Sequence, residues 1–303
     1  MKKVLLVVLI ICVLFTALAC KESNGDNNTT SNNGQSTTST TNDSTSTSQD
    51  DQTAPTPDVT RTPSEGLEFE PVTDKVIIQV YGESYAVTGI GTCTDKNIVI
   101  PDTYNGLPVT MICNIAFFEC RFIETVYIPD SVVSLDYVPF AFCSSIIRFE
   151  VSDAHPCFFT IDGNIYYKQS EYFPDQGMIF VQYALGKKDK NFTIPEGITH
   201  IYPGAFLTAE NLETIIVPDG VTYIEYASFA SCASLKSLTL PSSVEYLGPA
   251  ILEESVNIER IIFNGTVEQW NAIEKDISWT LGTGEFVIYC TNGSIAKDGT
   301  IIN

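Results

Sequence analysis

Apolar residues recur at fixed distances from a series of prolines. Pro195, Pro218 and Pro241 are spaced 23 residues apart, and the positions 3, 6, 11, 14 and 17 residues after each are filled in the same way. After Pro218 they are Val221, Ile224, Phe229, Cys232 and Leu235. After Pro195 they are Ile198, Ile201, Phe206, Ala209 and Leu212, and after Pro241 Val244, Leu247, Leu252, Ser255 and Ile258. Pro129 opens the same order with Val132, Leu135, Phe140, Cys143 and Ile146. Pro101 does so five residues late, with Val109, Ile112, Phe117, Cys120 and Ile123, because Tyr104-Asn105-Gly106-Leu107-Pro108 is inserted and its Asn-Gly pair favours a turn.

A second pattern precedes each proline. Ile98 and Ile100, Val126 and Ile128, Phe149 and Val151, Phe192 and Ile194, Ile215 and Val217, Leu238 and Leu240, and Ile261 and Phe263 alternate with outward positions. Alternation of period two predicts short strands with one face in the core, and proline, lacking an N–H, closes each. A period of 20 to 29 residues with these phases predicts a leucine-rich-repeat solenoid: short parallel strands joined by irregular or short helical return limbs. Seven such strands stack into a ladder of roughly 30 Å.

The array is interrupted from 153 to 191. Phe158–Ile161 and Asn164–Tyr167 read as two strands around an Asp162-Gly163 turn, and Met178–Tyr183 as a third. The interruption is dense in aromatics: Phe158, Phe159, Tyr166, Tyr167, Tyr172, Phe173, Phe180 and Tyr183. It is either a hairpin packed on the solenoid or an aromatic platform for a protein or glycan. Residues 67–97 are expected to cap the first coil. At the other end, 264–303 is expected to close the last, with a short helix around Trp270 and a strand at Phe286–Cys290. Repeats therefore occupy 98–152 and 192–263.

The N-terminus sets the compartment. Lys2 and Lys3 precede an apolar run, Val4–Phe15, that is short for a membrane span and suited to a signal peptide covering 1–19. Leu18-Ala19-Cys20 resembles the bacterial lipobox, which implies lipidation of Cys20 and attachment to a membrane; the other reading is an ordinary secretory signal cut after Ala19. Residues 20–66, rich in Ser, Thr, Asn and Gln, predict a disordered tether. The net charge of −21 repels phosphate backbones, so a nucleic-acid partner is excluded.

Little chemistry is encoded. Two histidines are present, His155 and His200, with no Gly-x-Ser-x-Gly elbow, no phosphate loop and no Cys-x-x-Cys pair, so neither an enzyme nor a bound metal or cofactor is expected. Cys120, Cys143 and Cys232 share one repeat phase and read as packing residues. Cys93, Cys113, Cys157 and Cys290 are less constrained, and one disulfide among them is open. The outward strand residues would line a concave sheet. They include the apolar Val99, Tyr127, Ile216 and Ile262 with Arg148, Glu150 and Arg260 alongside, which together form the candidate ligand surface.

The repeat pattern Ile-Pro-x-x-Val-x-x-Ile…Phe-x-x-Cys-x-x-Leu, the entry stretch Ile98–Thr110, the hairpin Asp162–Tyr167 and the terminal stretch Asn264–Ile273 resemble the BspA-like leucine-rich-repeat surface proteins of bacteria. Pro139 departs from that pattern, which usually has a small residue there. The resemblance implies a cell-surface protein that binds protein partners, in adhesion to host matrix or to other cells. An envelope lipoprotein without a soluble ligand is the alternative. If Phe229 fills the interior between neighbouring coils, Phe229→Ala should lower unfolding stability by about 3–5 kcal/mol in a denaturant titration; a loss below about 1 kcal/mol would refute the stacking.

Overall fold

The computed structural model describes residues 61–169 and 177–302. The leader, Cys20 and the tether up to residue 60 lie outside the described residues, as do Tyr172 and Phe173. The chain forms a β-solenoid of about nine turns with few helices. In each of the five coils the residues at the five repeat phases are at most 4% exposed.

The strands before the prolines form two parallel sheets where a single ladder of seven was expected. Asn97–Val99, Thr125–Tyr127 and Arg148–Glu150 make a three-stranded sheet. Asn191–Thr193, Thr214–Ile216, Ser237–Leu240, Arg260–Phe263 and Val287–Cys290 run parallel in a seven-stranded sheet completed by the antiparallel Gly293–Ala296 and Ile301–Ile302. The break falls at the hairpin. Its Gly163 carbonyl accepts from Phe149 N–H at 2.8 Å, occupying the side of Arg148–Glu150 where the next strand would pair. Gly163 has φ +76°, and a Cβ there would come within 2.6 Å of Arg148 Cβ, so the close approach requires glycine.

The return limbs are more regular than the sequence indicated. Ile198–Ile201, Tyr223–Ile224, Tyr246–Leu247 and Glu274–Lys275 pair in parallel as a second sheet, because the apolar residues at phases 3 and 6 repeat in register from coil to coil. In the N-terminal half Tyr85–Gly89, Leu107–Ile112 and Ser134–Leu135 do the same. The hairpin joins the C-terminal second sheet through Met178–Gln182, which pairs parallel with Ile198–Ile201 and antiparallel with Asn164–Tyr167. Its alternation sends Phe158, Ile165 and Val181 into the N-terminal core and Tyr166, Phe180 and Tyr183 into the C-terminal core. Of the aromatics in this interruption, Phe158, Tyr166, Phe180 and Tyr183 are at most 1% exposed and act as the joint between two cores rather than as a platform, while Phe159 and Tyr167 are partly buried.

Between second strand and next proline, each coil turns a corner built the same way. Left-handed backbone appears at phase 9 in Ile115, Val138, Gly204, Ala227 and Ala250, and at phase 13 in Glu119, Phe142, Thr208, Ser231 and Glu254. Such conformations are costly for non-glycine residues and persist only where the surroundings enforce them. In the corners around Phe117, Phe206 and Phe229 a third ladder of backbone hydrogen bonds does so. Phe117, Phe206 and Phe229 N–H donate to Pro139, Ser228 and Ile251 carbonyls of the following coil, and Glu119, Thr208 and Ser231 N–H donate to Ala141, Ala230 and Glu253. The rings thus bracketed stack, with centroids 5.3 Å apart for Phe117–Phe140 and for Phe206–Phe229.

Phase 14 explains the cysteines. Cys143 Sγ donates to the Phe117 carbonyl at 2.9 Å and Cys232 Sγ to the Phe206 carbonyl at 3.1 Å. Ser255, at the same phase, donates to the Phe229 carbonyl at 2.7 Å. Burial raises the Cys232 thiol to about 12, so it remains a protonated donor. All seven cysteines among the described residues are free thiols. Cys232→Ser should keep the bond and stay within about 0.5 kcal/mol of the parent, whereas Cys232→Val should cost about 0.5–1.5 kcal/mol by removing one of the two donors to the Phe206 carbonyl, which keeps the Ala209 N–H at 2.9 Å. Equal losses for the two in denaturant unfolding would contradict this account of the phase.

Candidate functional site

The surface residues expected from the alternation do point outward, but the break in the sheet divides them. Val99, Tyr127 and Glu150 are consecutive partners across the three-stranded sheet, with Arg148 in the neighbouring row. Ile216, Thr239 and Ile262 are consecutive partners in the seven-stranded sheet, with Arg260 beside them. These are two surfaces.

The N-terminal surface is covered. Residues 61–66, read as the end of the tether, lie along it. Ser64 N–H donates to the Val99 carbonyl at 2.9 Å, and Val99 N–H donates back to Ser64 Oγ at 3.1 Å. The Arg61 guanidinium carbon sits 4.0 Å from the centre of the Tyr127 ring, and Arg61 Nη2 reaches Glu150 Oε2 at 2.9 Å. Arg148 Nε holds the other carboxylate oxygen at 2.6 Å. Partial burial would raise the Glu150 pKa, but the hydrogen bonds from Arg148 and Arg61 outweigh it and hold the carboxyl below its ordinary value.

The C-terminal surface is open and longer than the alternation of the repeats indicated. Ile262 pairs with Tyr289, Tyr289 with Ser294, and Ser294 with Ile302, so one row runs Thr193, Ile216, Thr239, Ile262, Tyr289, Ser294, Ile302. Ile216, Ile262, Tyr289 and Ile302 are each 38–47% exposed. Tyr289 and Ile302 were missed because Phe286–Cys290 reads as a closing strand. Its own alternation, Phe286 and Ile288 inward, was the available signal.

A charged border flanks this sheet. Glu213 bridges Lys190 at 2.6 Å and Lys236 at 2.8 Å, one coil to either side, and Arg260 Nε donates to Ser237 Oγ at 3.2 Å. The same column in the N-terminal half carries Lys96–Glu124 at 2.8 Å. Both histidines serve the structure. His155 is buried, with Nε2–H toward the Pro129 carbonyl at 3.0 Å and Nδ1 accepting from Cys157 and Phe158 N–H. His200 is half-buried and stacks on Tyr223 with ring centroids 5.0 Å apart. Among the described residues no group of three His, Cys, Asp or Glu side chains is placed to hold a metal ion.

These repeats match the model of the BspA type leucine rich repeat region in six copies, over residues 91–172 and 183–274. The chain belongs to that family. Solved structures show similar folds. One is a leucine-rich repeat protein from Eubacterium ventriosum (21% identity, 55% of this chain and 42% of that one, TM-score 0.49). A second is the pneumococcal vaccine antigen PcpA (16% identity, 61% and 40%, TM-score 0.45). A third is a leucine rich cell surface protein from Faecalibacterium prausnitzii (22% identity, 59% and 56%, TM-score 0.43). The chain thus spans about half or less of these relatives' lengths, and likeness at this level carries no argument about function. No curated protein matches. Repeat scaffolds of this kind are generally non-catalytic and generally mediate protein interactions.

The two lysines that flank Glu213 depress its carboxyl from 4.5 to about 2, through the hydrogen bonds from Lys190 and then Lys236. A carboxyl lowered on folding contributes stability that is fully present above its unfolded value and is lost as pH falls toward the folded one. The bridge should therefore weaken between 4.5 and about 2. Carbon-13 NMR titration should place Glu213 near 2, and the Lys190→Ala/Lys236→Ala variant should bring it back toward 4.5; an unmoved midpoint would show that the lysines are not the cause.

Proposed function

We propose that the chain is a non-catalytic binding protein of the bacterial cell surface, and that the solvent face of the seven-stranded sheet docks a protein partner. One observation carries this reading. Strand register aligns Ile216, Ile262, Tyr289 and Ile302 in a single exposed row, separated by Thr239 and Ser294. Isolated apolar side chains on a surface need no explanation, but a register-aligned series bordered by charge has the composition of an interface core with a polar rim. A rigid sheet presents these groups without an ordering cost on binding.

Placement at the surface follows from the N-terminal sequence. Cys20 within Leu18-Ala19-Cys20 would carry the lipid that attaches the chain to the membrane. Adhesion to host matrix proteins or to other cells fits such a display, and the acidic balance of −21 favours basic patches on the partner.

Two variants test the reading. Cys20→Ser should release the protein from the cell envelope into the medium. Ile216→Ser/Ile262→Ser should lower binding to immobilised matrix proteins or to partner cells at least tenfold, with each surface change altering stability by no more than about 0.5 kcal/mol. Unchanged binding by the double variant would remove this face as the docking surface, and retention of Cys20→Ser in the envelope would remove the anchor.

A further inference from the structure

We propose that Tyr127, Glu150 and the edge of Asn97–Val99 form a receptor site for an arginine-bearing extended segment of a partner protein, and that the chain fills this site in cis with its own Arg61. The site lies on the three-stranded sheet and stands independently of the reading given for the seven-stranded one.

Two components are held by groups other than the occupant. Arg148 Nε fixes Glu150 through Oε1 at 2.6 Å, which leaves Oε2 directed at the incoming guanidinium. Tyr127 stands between Val99 and Glu150 in strand register and offers a ring face. A planar cation takes both at once, stacking over the ring while donating to the carboxylate, and Arg61 does so at 4.0 Å and 2.9 Å. A lysine ammonium matches the fork of a carboxylate less well and does not stack as a plane.

The spacing is also defined. Ser64 exchanges two hydrogen bonds with Val99 at the edge of the sheet, and Arg61 reaches Glu150 two strands further in. Two strand spacings are about 9.6 Å, and three residues of extended chain span about 10 Å. An arginine three residues before a hydroxyl residue therefore fits from edge to carboxylate.

The cis occupant is held at its root. Gly66 has φ +82°, a Cβ there would lie 2.9 Å from Cys93 N, and its carbonyl accepts from Thr92 N–H at 3.0 Å. Among the described residues Arg61 makes the strap's contact beyond Ser64, and its side chain and that of Glu150 are 33% and 27% exposed. A contact made by two accessible side chains can exchange with a competing arginine, whereas the buried rungs beneath cannot. Because the rooted strap presents Arg61 at an effective concentration of roughly millimolar or more, the intact chain masks the site from weak ligands.

The test uses the whole mature chain and the capped peptide acetyl-Thr-Arg-Thr-Pro-Ser-amide, which carries the spacing of Arg61 and Ser64, with acetyl-Thr-Lys-Thr-Pro-Ser-amide as control, followed by NMR at low ionic strength. Arg61→Ala should bind the arginine peptide at least tenfold more tightly than the parent chain and more tightly than the lysine peptide, with shifts centred on Tyr127. Adding Glu150→Gln to Arg61→Ala should abolish that binding while the strand amides of Thr125–Tyr127 keep their shifts. If Arg61→Ala binds neither peptide with those amides unmoved, or binds both equally, Arg61 is only a structural clasp and the proposal is overturned. Neither outcome touches the Ile216/Ile262 experiment, so the two readings fail separately.

Discussion

Each coil of this protein is satisfied by its neighbours rather than by itself. Three ladders of backbone hydrogen bonds run along the stack: through the strands before the prolines, through the return strands, and through the corners around Phe117, Phe206 and Phe229. The corners impose the tightest condition. Left-handed backbone at phases 9 and 13 is unfavourable for an isolated turn, and at Glu119, Thr208 and Ser231 the following coil accepts the N–H. Any change in coil length would put these donors out of register, which is why the period is uniform. The insertion after Pro101 is expelled as an antiparallel excursion pairing Thr103–Tyr104 with Leu107–Pro108, and the longer interruption at 153–191 forms strands of its own.

The surfaces follow from the same constraint. When coils stack in register, outward residues at equal phase fall into rows, and their chemistry is set by one side chain per coil. That produces the Lys190–Glu213–Lys236 bridge, the His200–Tyr223–Tyr246 stack and the Ile216–Ile262–Tyr289 row. The hairpin preserves the core while ending the outer sheet. It supplies Phe180 as a further ring stacked on Phe206 at 4.7 Å, while its Gly163 turn blocks the strand pairing beside Phe149. Tyr167 closes the remaining gap, its hydroxyl accepting from Leu135 N–H at 2.8 Å and donating to the Leu135 carbonyl at 3.3 Å.

Much of this is legible in the sequence because burial imposes strict positional chemistry. The five phases, the strands before the prolines and the packing role of Cys120, Cys143 and Cys232 can all be read from side-chain type alone. The return strands were harder to see, since two-residue strands such as Tyr223–Ile224 offer no alternation to detect. The division of the outer sheet was not legible, because it depends on where the turn at Gly163 docks and not on which residues form it. Arg61 was invisible for a different reason. A single arginine in a Thr- and Pro-rich stretch has no periodic signal, and its role exists only once Tyr127 and Glu150 are brought side by side.

Amide hydrogen exchange measured residue by residue tests the stacking most directly. The account predicts that the corner amides of Phe117, Phe206, Phe229 and Ser231 exchange as slowly as strand amides such as Ile215 and Leu238, since all are bonded to an adjoining coil and must open with it. Exchange of the corner amides at the rate of exposed loops, while the strands stay protected, would contradict it.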